Sequence, residues 1–323
     1  MIARAVGLLA LLPLLPLSTA QSSSNKRGLC FIAETDFPSD HKTWMQDGSE
    51  ISWYYNYGFR PSPTFADYTQ EQLEYVPMMW GVDHNDLNKT EFKDAVIRMI
   101  DDEGRNITRV LGFNEPDMGF QYGGSDTPPA LAARAWVANF IPLQERGIKV
   151  GLPAMTGQPY GLQWLHQFLG NCSDLISVGE DTKKNCTYDF LPVHWYDNFE
   201  GLASHIGERI ENFPNTSIWV TEYAYAHQDL RPTEQFYNTT SDYFERVPDI
   251  GLYSYYGAFR SAASNVGPNV PFLNNAGELT DIGSWYLGFQ AKGVKPQSAA
   301  GVARVSLGMM AASVVSAMWL LGA

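Results

Sequence analysis

The chain has 323 residues and is acidic, with 22 Lys plus Arg against 35 Asp plus Glu and a formal net charge of -13. That balance is the reverse of the basic footprint expected of a nucleic-acid binder, and 45% hydrophobic with 18% charged residues excludes a disordered acidic tail or a coiled coil. The length suits one large domain or two small ones, and three cysteines are too few for a disulfide scaffold.

Residues 1–20 combine Arg4, an apolar run from Leu8 to Leu17 and the small residues Ser18, Thr19 and Ala20. This is the charged start, apolar core and cleavage site of a secretory signal, and the core is too short to span a bilayer. Residues 21–27 hold Ser22, Ser23 and Ser24 and the pair Lys26–Arg27; they read either as a propeptide with a second processing site or as a solvated linker.

From Gly28 onward a short apolar or aromatic run alternates with a polar loop and a helical stretch. The expected strands are Gly28–Ala33, Ile51–Tyr57, Tyr75–Trp80, Arg109–Phe113, Lys149–Pro153, Phe190–His194, Ile218–Glu222 and Gly251–Tyr256. Three helices read clearly. Thr90–Arg105 opens on a capping Thr and sets Phe92, Val96, Ile97 and Ile100 on one side. Pro128–Gly147 has a proline start and a glycine stop, and Gly201–Phe213 repeats Leu202, Ile206 and Ile210 four residues apart. Buried strands alternating with helices imply parallel pairing with right-handed crossovers. Eight such units match an α/β fold of the closed (β/α)8 TIM-barrel type, one domain over residues 28–290. A doubly wound open sheet is the alternative, but no glycine-rich first turn supports it.

Residues 291–323 form a linker and an apolar tail, Val305–Ala323, preceded by the small residues Ser298, Ala299, Ala300 and Gly301. The flanking cations Lys292, Lys295 and Arg304 all lie before the tail, whereas a spanning helix held by cytoplasmic charge would carry them after it. The pattern fits a glycolipid-anchor signal, in preference to a retained membrane helix or a buried one. Seventeen Asn and 39 Ser plus Thr would give about two Asn-X-Ser/Thr triplets by chance. Six are present, at Asn88, Asn106, Asn171, Asn185, Asn215 and Asn238, which favours a glycosylated, secreted chain. In an oxidising compartment Cys172 and Cys186 are expected to pair, leaving Cys30 as a buried thiol.

In a barrel of this kind, chemistry sits where strands end. RVLGFNEPD (Arg109–Asp117) delivers Asn114 and Glu115 to the mouth, where Pro116 stops the strand. SIWVTEYAY (Ser217–Tyr225) places Glu222 at the end of strand seven, with Ile218, Val220 and Glu222 on one inward side by alternation. An acid on an inward apolar face is costly unless it is paired or functional. Two acids aimed at one mouth are the equipment for glycoside hydrolysis. Glu115 is expected as the protonated acid and then the base, Glu222 as the ionised nucleophile, and Asn114 as a donor to the sugar 2-hydroxyl. Weaker candidates are His194 and Tyr196, which share a strand side and can orient the nucleophile. Trp53, Trp80, Trp195 and Tyr223 offer faces for stacking on sugar rings, and Asn56 can reach hydroxyls. Asp117 reads as a loop residue. The histidines and cysteines show no metal-ligand spacing, and there is no phosphate-binding loop, so no metal and no cofactor are expected.

Taken together, GFNEPD, DFLPVHWYD (Asp189–Asp197), WVTEYA, WYYNYG (Trp53–Gly58) and VPMMWG (Val76–Gly81) resemble glycoside hydrolase family 128, the β-1,3-glucanases of fungal cell walls that include the alkali-sensitive-linkage group. The resemblance spans about Gly28 to Gly288. It implies a retaining mechanism without a metal, a linear β-1,3-glucan as substrate, Glu115 as acid/base and Glu222 as nucleophile. LYSYYGAF (Leu252–Phe259) departs from it by lacking an Arg at strand eight. The expected protein is therefore an endo-acting, monomeric hydrolase at the cell surface or wall, held to the membrane by its glycolipid. A non-catalytic glucan-binding barrel and a glucan transglycosylase are the alternatives.

Overall fold

The computed structural model describes residues 24–33 and 35–296. The expected signal segment 1–20 and the apolar tail Val305–Ala323 lie outside these residues.

Eight parallel strands follow one another: β1 (Arg27–Cys30), β2 (Trp53–Tyr55), β3 (Glu74–Tyr75), β4 (Arg109–Val110), β5 (Lys149–Val150), β6 (Phe190–Trp195), β7 (Ser217–Tyr223) and β8 (Ile250–Tyr255). Six of them form a continuous sheet in the order β3-β2-β1-β8-β7-β6, and β4 pairs with β5. Parallel bridges supply the remaining seams. Met78 pairs with Leu111 beyond the ends of β3 and β4, while Gly151 pairs with Phe190 and Met155 with Val193 between the β5 and β6 segments. The parallel pairing thereby runs all the way round, as a TIM-type barrel requires.

Six helices cover the barrel: α1 (Glu91–Asp101), α2 (Pro129–Glu145), α3 (Tyr160–Ile176), α4 (Phe199–Asn212), α5 (Leu230–Arg246) and α6 (Asp281–Tyr286). The first two crossovers depart from the expected repeat. They carry only the short 3-10 turns Pro38–Thr43 and Pro63–Phe65, where a proline opens the turn and no long amphipathic run follows it. Thr90 precedes α1 but does not cap it through its side chain, which donates instead to Asp94 at 2.7 Å. Gly147, with φ of 81°, closes the turn after α2 as expected.

The core has two parts. Helix faces and outward strand residues form one, including Leu29, Tyr54, Val110, Trp136, Phe168, Leu202, Ile218, Val220 and Tyr223. The other fills the barrel interior with residues of the strands and of the bridges that extend them, among them Cys30, Trp53, Tyr55, Met78, Leu111, Phe190 and Trp219. Phe190 and Trp219 stack at 3.9 Å between ring centroids. A side chain at Gly28 would collide with Trp53, and one at Gly151 with Phe190. These two glycines leave the width that the interior rings occupy.

Two expectations change here. Ile218 and Val220 do not share an inward side with Glu222: they face the helices, while Trp219 points into the barrel. The pairing of β7 with β6 and β8 shifts between Val220 and Tyr223. The extra residue reverses the alternation and turns Glu222 toward the mouth. The pair Lys26–Arg27 is neither an exposed processing site nor a linker. Arg27 opens β1 with no exposed surface, and bonds Glu50 at 2.6 Å, the Tyr253 hydroxyl at 3.0 Å and the carbonyls of Trp285 and Tyr286. Lys26 donates to the Phe244 carbonyl at 2.8 Å.

Cys172 of α3 and Cys186, ahead of β6, form a disulfide, and Cys30 is a buried free thiol. Asn106, Asn185 and Asn215 are exposed ahead of β4, β6 and β7, at the floor opposite the mouth; Asn88 and Asn238 are also exposed. Asn171 lies within α3 and is half-buried.

Removing one partner of a buried ion pair leaves the other without its counter-charge. Arg27→Ala is expected to lower stability by about 3–5 kcal/mol in urea unfolding; a loss below about 1 kcal/mol, the level of an exposed pair, would show that Arg27 does not tie the barrel together.

Candidate active site

Glu115 follows β4 at φ of 41°, a left-handed backbone that is unusual for a side chain of its size. Its amide donates to the Ala154 carbonyl at 2.7 Å and its own carbonyl accepts from Ser125 at 3.2 Å, so both sides of the strained residue are held. Tyr57, after β2, has φ of 60°. Both left-handed side chains reach the same site.

Glu222 is 6% exposed and accepts three phenolic hydrogen bonds: Tyr196 at 2.6 Å on Oε2, and Tyr57 at 2.8 Å and Tyr55 at 3.3 Å on Oε1. Burial, reinforced by the Glu222 charge, lifts all three phenols well above the ordinary tyrosine range. They therefore face the carboxylate as donors, and an acceptor-only carboxylate matches three donors. Cys30 lies beneath this group. Burial and Glu222 push its thiol up as well, which leaves it inert.

His194 lies between the two acids. Its Nδ1 is 2.9 Å from Glu115 Oε1 and 3.6 Å from Glu222 Oε2, and its Nε2 is buried without a protein partner. Burial disfavours the imidazolium, yet Glu222 and Glu115 together raise its affinity for a proton. Burial also raises the Glu115 carboxyl above the usual range, with the His194 hydrogen bond acting against it. The pair consequently keeps a proton at a pH where an isolated glutamate has lost one.

One donor atom from each of Glu115, His194 and Glu222 lies within 4.8 Å of the others. Two carboxylates and an imidazole at that spacing have the composition of a metal site. Ligation through His194 Nδ1 would displace the His194–Glu115 hydrogen bond. The same separation lets the two carboxyls flank a single sugar carbon.

A family model described as the glycosyl hydrolase catalytic core matches residues 28–286. The chain belongs to that family. This glycosyl hydrolase core is 27% identical over 276 residues to alkali-sensitive linkage protein 1 of Schizosaccharomyces pombe, covering 82% of this chain and 45% of that protein; the chain thus spans about half the length of that curated relative. A family 128 (subgroup II) endo-β-1,3-glucanase of Pseudomonas viridiflava superposes with a TM-score of 0.64 at 23% identity, covering 83% of this chain and 99% of the other. A family 128 (subgroup VII) oligosaccharide-binding protein of Trichoderma gamsii superposes with a TM-score of 0.57 at 23% identity, covering 81% and 92%. These likenesses agree with the family 128 resemblance carried by the five motifs and with the barrel read from the strand pattern.

Within the glycosyl hydrolase core, Glu115, Glu222, His194 and Tyr196 meet at the mouth. Asn114 is buried beside them, with its side-chain nitrogen on the Gly123 carbonyl at 3.3 Å and its Oδ1 without a protein partner. Trp80 and Trp195 are half-buried. The Trp195 indole donates to the Asn198 carbonyl at 2.9 Å, and its ring lies 5.2 Å from that of His205; burial pushes the His205 imidazole down to about 3. Asp117 accepts from the Thr156 amide and hydroxyl, which makes it a loop pin.

Three expected sugar contacts fall elsewhere. Trp53 is 1% exposed on the interior floor, with its indole on the Lys26 carbonyl. Tyr223 faces outward among Phe236, Phe244 and Tyr253, because the β7 shift that turns Glu222 inward turns its neighbour outward. Asn56 bonds Arg60, Gly58 and Tyr75, and so holds its own loop. Conversely, Tyr55 and Tyr57 belong to the site although the sequence reading does not single them out; their spacing of two in WYYNYG is the signal that places both hydroxyls on one side.

The His194 hydrogen bond, and then its charge, act against the burial that raises the Glu115 carboxyl. His194→Asn is therefore expected to move the Glu115 titration upward, read from the carboxyl carbon of Glu115 by NMR; a downward shift would contradict the arrangement.

Proposed function

We propose that the chain is a secreted, retaining endo-β-1,3-glucanase in which Glu115 is the acid/base and Glu222 the nucleophile. The observation that carries this reading is the pair of carboxyls with oxygens within 4.8 Å across His194. Retaining pairs stand about 5–5.5 Å apart, whereas inverting pairs leave about 6.5–9.5 Å for a water. Family membership supports hydrolysis of a glycosidic bond, and the relatives named for β-1,3-glucan cleavage support the linkage.

In the first step a Glu222 oxygen attacks the anomeric carbon. The bond to the leaving glucan breaks, and its oxygen takes the Glu115 proton. Burial keeps that proton available, and the tyrosines hold the nucleophile on aim. In the second step Glu115, now a carboxylate, takes a proton from water as the water oxygen displaces Glu222. The unpartnered Oδ1 of Asn114 and the half-buried Trp80 are placed to receive sugar hydroxyls and ring faces. No step calls on a metal. The anchor signal and the six acceptor triplets support a glycosylated enzyme at the cell surface, acting on wall glucan.

The oligosaccharide-binding relative supports a second reading, a barrel that binds glucan without cutting it. Incubation with laminarin separates the two: reducing ends are expected to accumulate, with short oligosaccharides appearing before glucose and with no loss after chelation. Tight binding with no new reducing ends would select the second reading. Glu222→Ala is expected to lose at least about 1,000-fold in rate, with azide restoring turnover as a sugar azide of inverted configuration; undiminished hydrolysis by that variant would refute the nucleophile.

A further inference from the structure

Beyond Trp80, the β4 loop presents aromatic surface that the chemistry above does not use. Phe120 is 54% and Tyr122 is 74% exposed. Phe120 lies over Trp80 with ring centroids 6.1 Å apart and planes 26° from parallel, and His84 flanks the same ring at 6.0 Å. Exposed aromatic surface of this kind marks a binding face when its support is rigid.

The support is rigid, and it is built on the acid itself. The loop leaves the barrel at Glu115 and returns at Ser125, whose amide donates to the carbonyls of Asn114 at 3.0 Å and Glu115 at 3.2 Å. Met118 donates to the Glu115 carbonyl at 3.0 Å, and Asp126 donates back to Met118 at 2.9 Å. The Asn114 side chain ties Gly123 at 3.3 Å, and the Asn114 amide bonds the Trp80 carbonyl at 2.8 Å. A side chain at Gly124 would collide with the carbonyls of Met118 and Glu115, and one at Gly81 would press on Ser125 at 2.8 Å. Both loops are packed backbone to backbone beside the acid.

We propose that Phe120 and Tyr122, with Phe120 backed by Trp80, form a distal platform, on the β3–β4 rim, for a glucosyl unit of the same chain beyond the one being cleaved. This rests on the β-1,3-glucan reading above. Pyranose rings present C–H faces that stack on aromatic planes and need no charged partner, and the exposed rings carry no ion pair. Continuity with the catalytic mouth identifies the occupant: a chain lying over Glu115 passes onto the loop that Glu115 begins. The platform adds affinity for long chains, and the rigid loop keeps the bound chain in register with the acid.

The test uses the full chain carrying Glu222→Gln, so that laminarin binds without turnover. Phe120→Ala with Tyr122→Ala is expected to weaken laminarin affinity about tenfold in titration calorimetry, with Phe120→Trp retaining the affinity of the parent. Should the double variant melt at lower temperature, Tyr122→Ala alone, at an exposed ring, carries the test with a loss of about threefold. Unchanged laminarin affinity in these alanine variants overturns the platform. Failure of the Glu222→Gln parent itself to bind laminarin overturns the glucan reading, and the platform with it.

Discussion

Two carboxyl groups and an imidazole share one buried space at the mouth of this barrel, and the arrangement is tolerable only if protons are distributed unequally among them. Like charges at this separation cannot both be held without compensation. The structure compensates asymmetrically. Glu222 receives three phenolic donors, from β2 and from the residues just after β2 and β6, whereas Glu115 faces an imidazole and is raised by burial. The two acids are thereby assigned different work by their surroundings, before any substrate enters.

The barrel supplies that difference through packing. Bulky rings from β2, β6 and β7 close the interior below the site, with Gly28 and Gly151 making room for them. Tyr55 belongs to that interior cluster and reaches Glu222 with its hydroxyl, so the floor and the nucleophile are one packed unit. The register shift in β7 aims Glu222 inward, and the left-handed backbone at Glu115 and Tyr57 aims the partners. Such local departures from regular geometry persist because many bonds over-determine them.

Much of this was legible in the sequence, and the reasons differ by element. The eight strands announced themselves as short runs of β-branched and aromatic residues, and Pro116 marked where β4 must end. Glu115 and Glu222 stood out because acids at the ends of apolar strands demand an explanation. The inward neighbours of Glu222 are not legible from alternation, which cannot foresee an extra residue whose position depends on the pairing with β6 and β8. Trp53 and Tyr223 looked like ligand platforms, because burial on a floor and exposure at a mouth leave the same mark on a single chain. Tyr55 and Tyr57 lie 167 and 165 positions from Glu222 and meet it only through β1 and β8 closing the ring, so no local pattern encodes the contact. The same holds for Arg27: its partners Glu50 and Glu245 come from distant parts of the sequence.

The most direct measurement of the central claim is the configuration of the first sugar released, followed by proton NMR during hydrolysis of laminarin. A nucleophile at Glu222 and an acid at Glu115 predict that the β-anomer appears first and then mutarotates. First release of the α-anomer would mean a single displacement by water, and would contradict the assignment of Glu222.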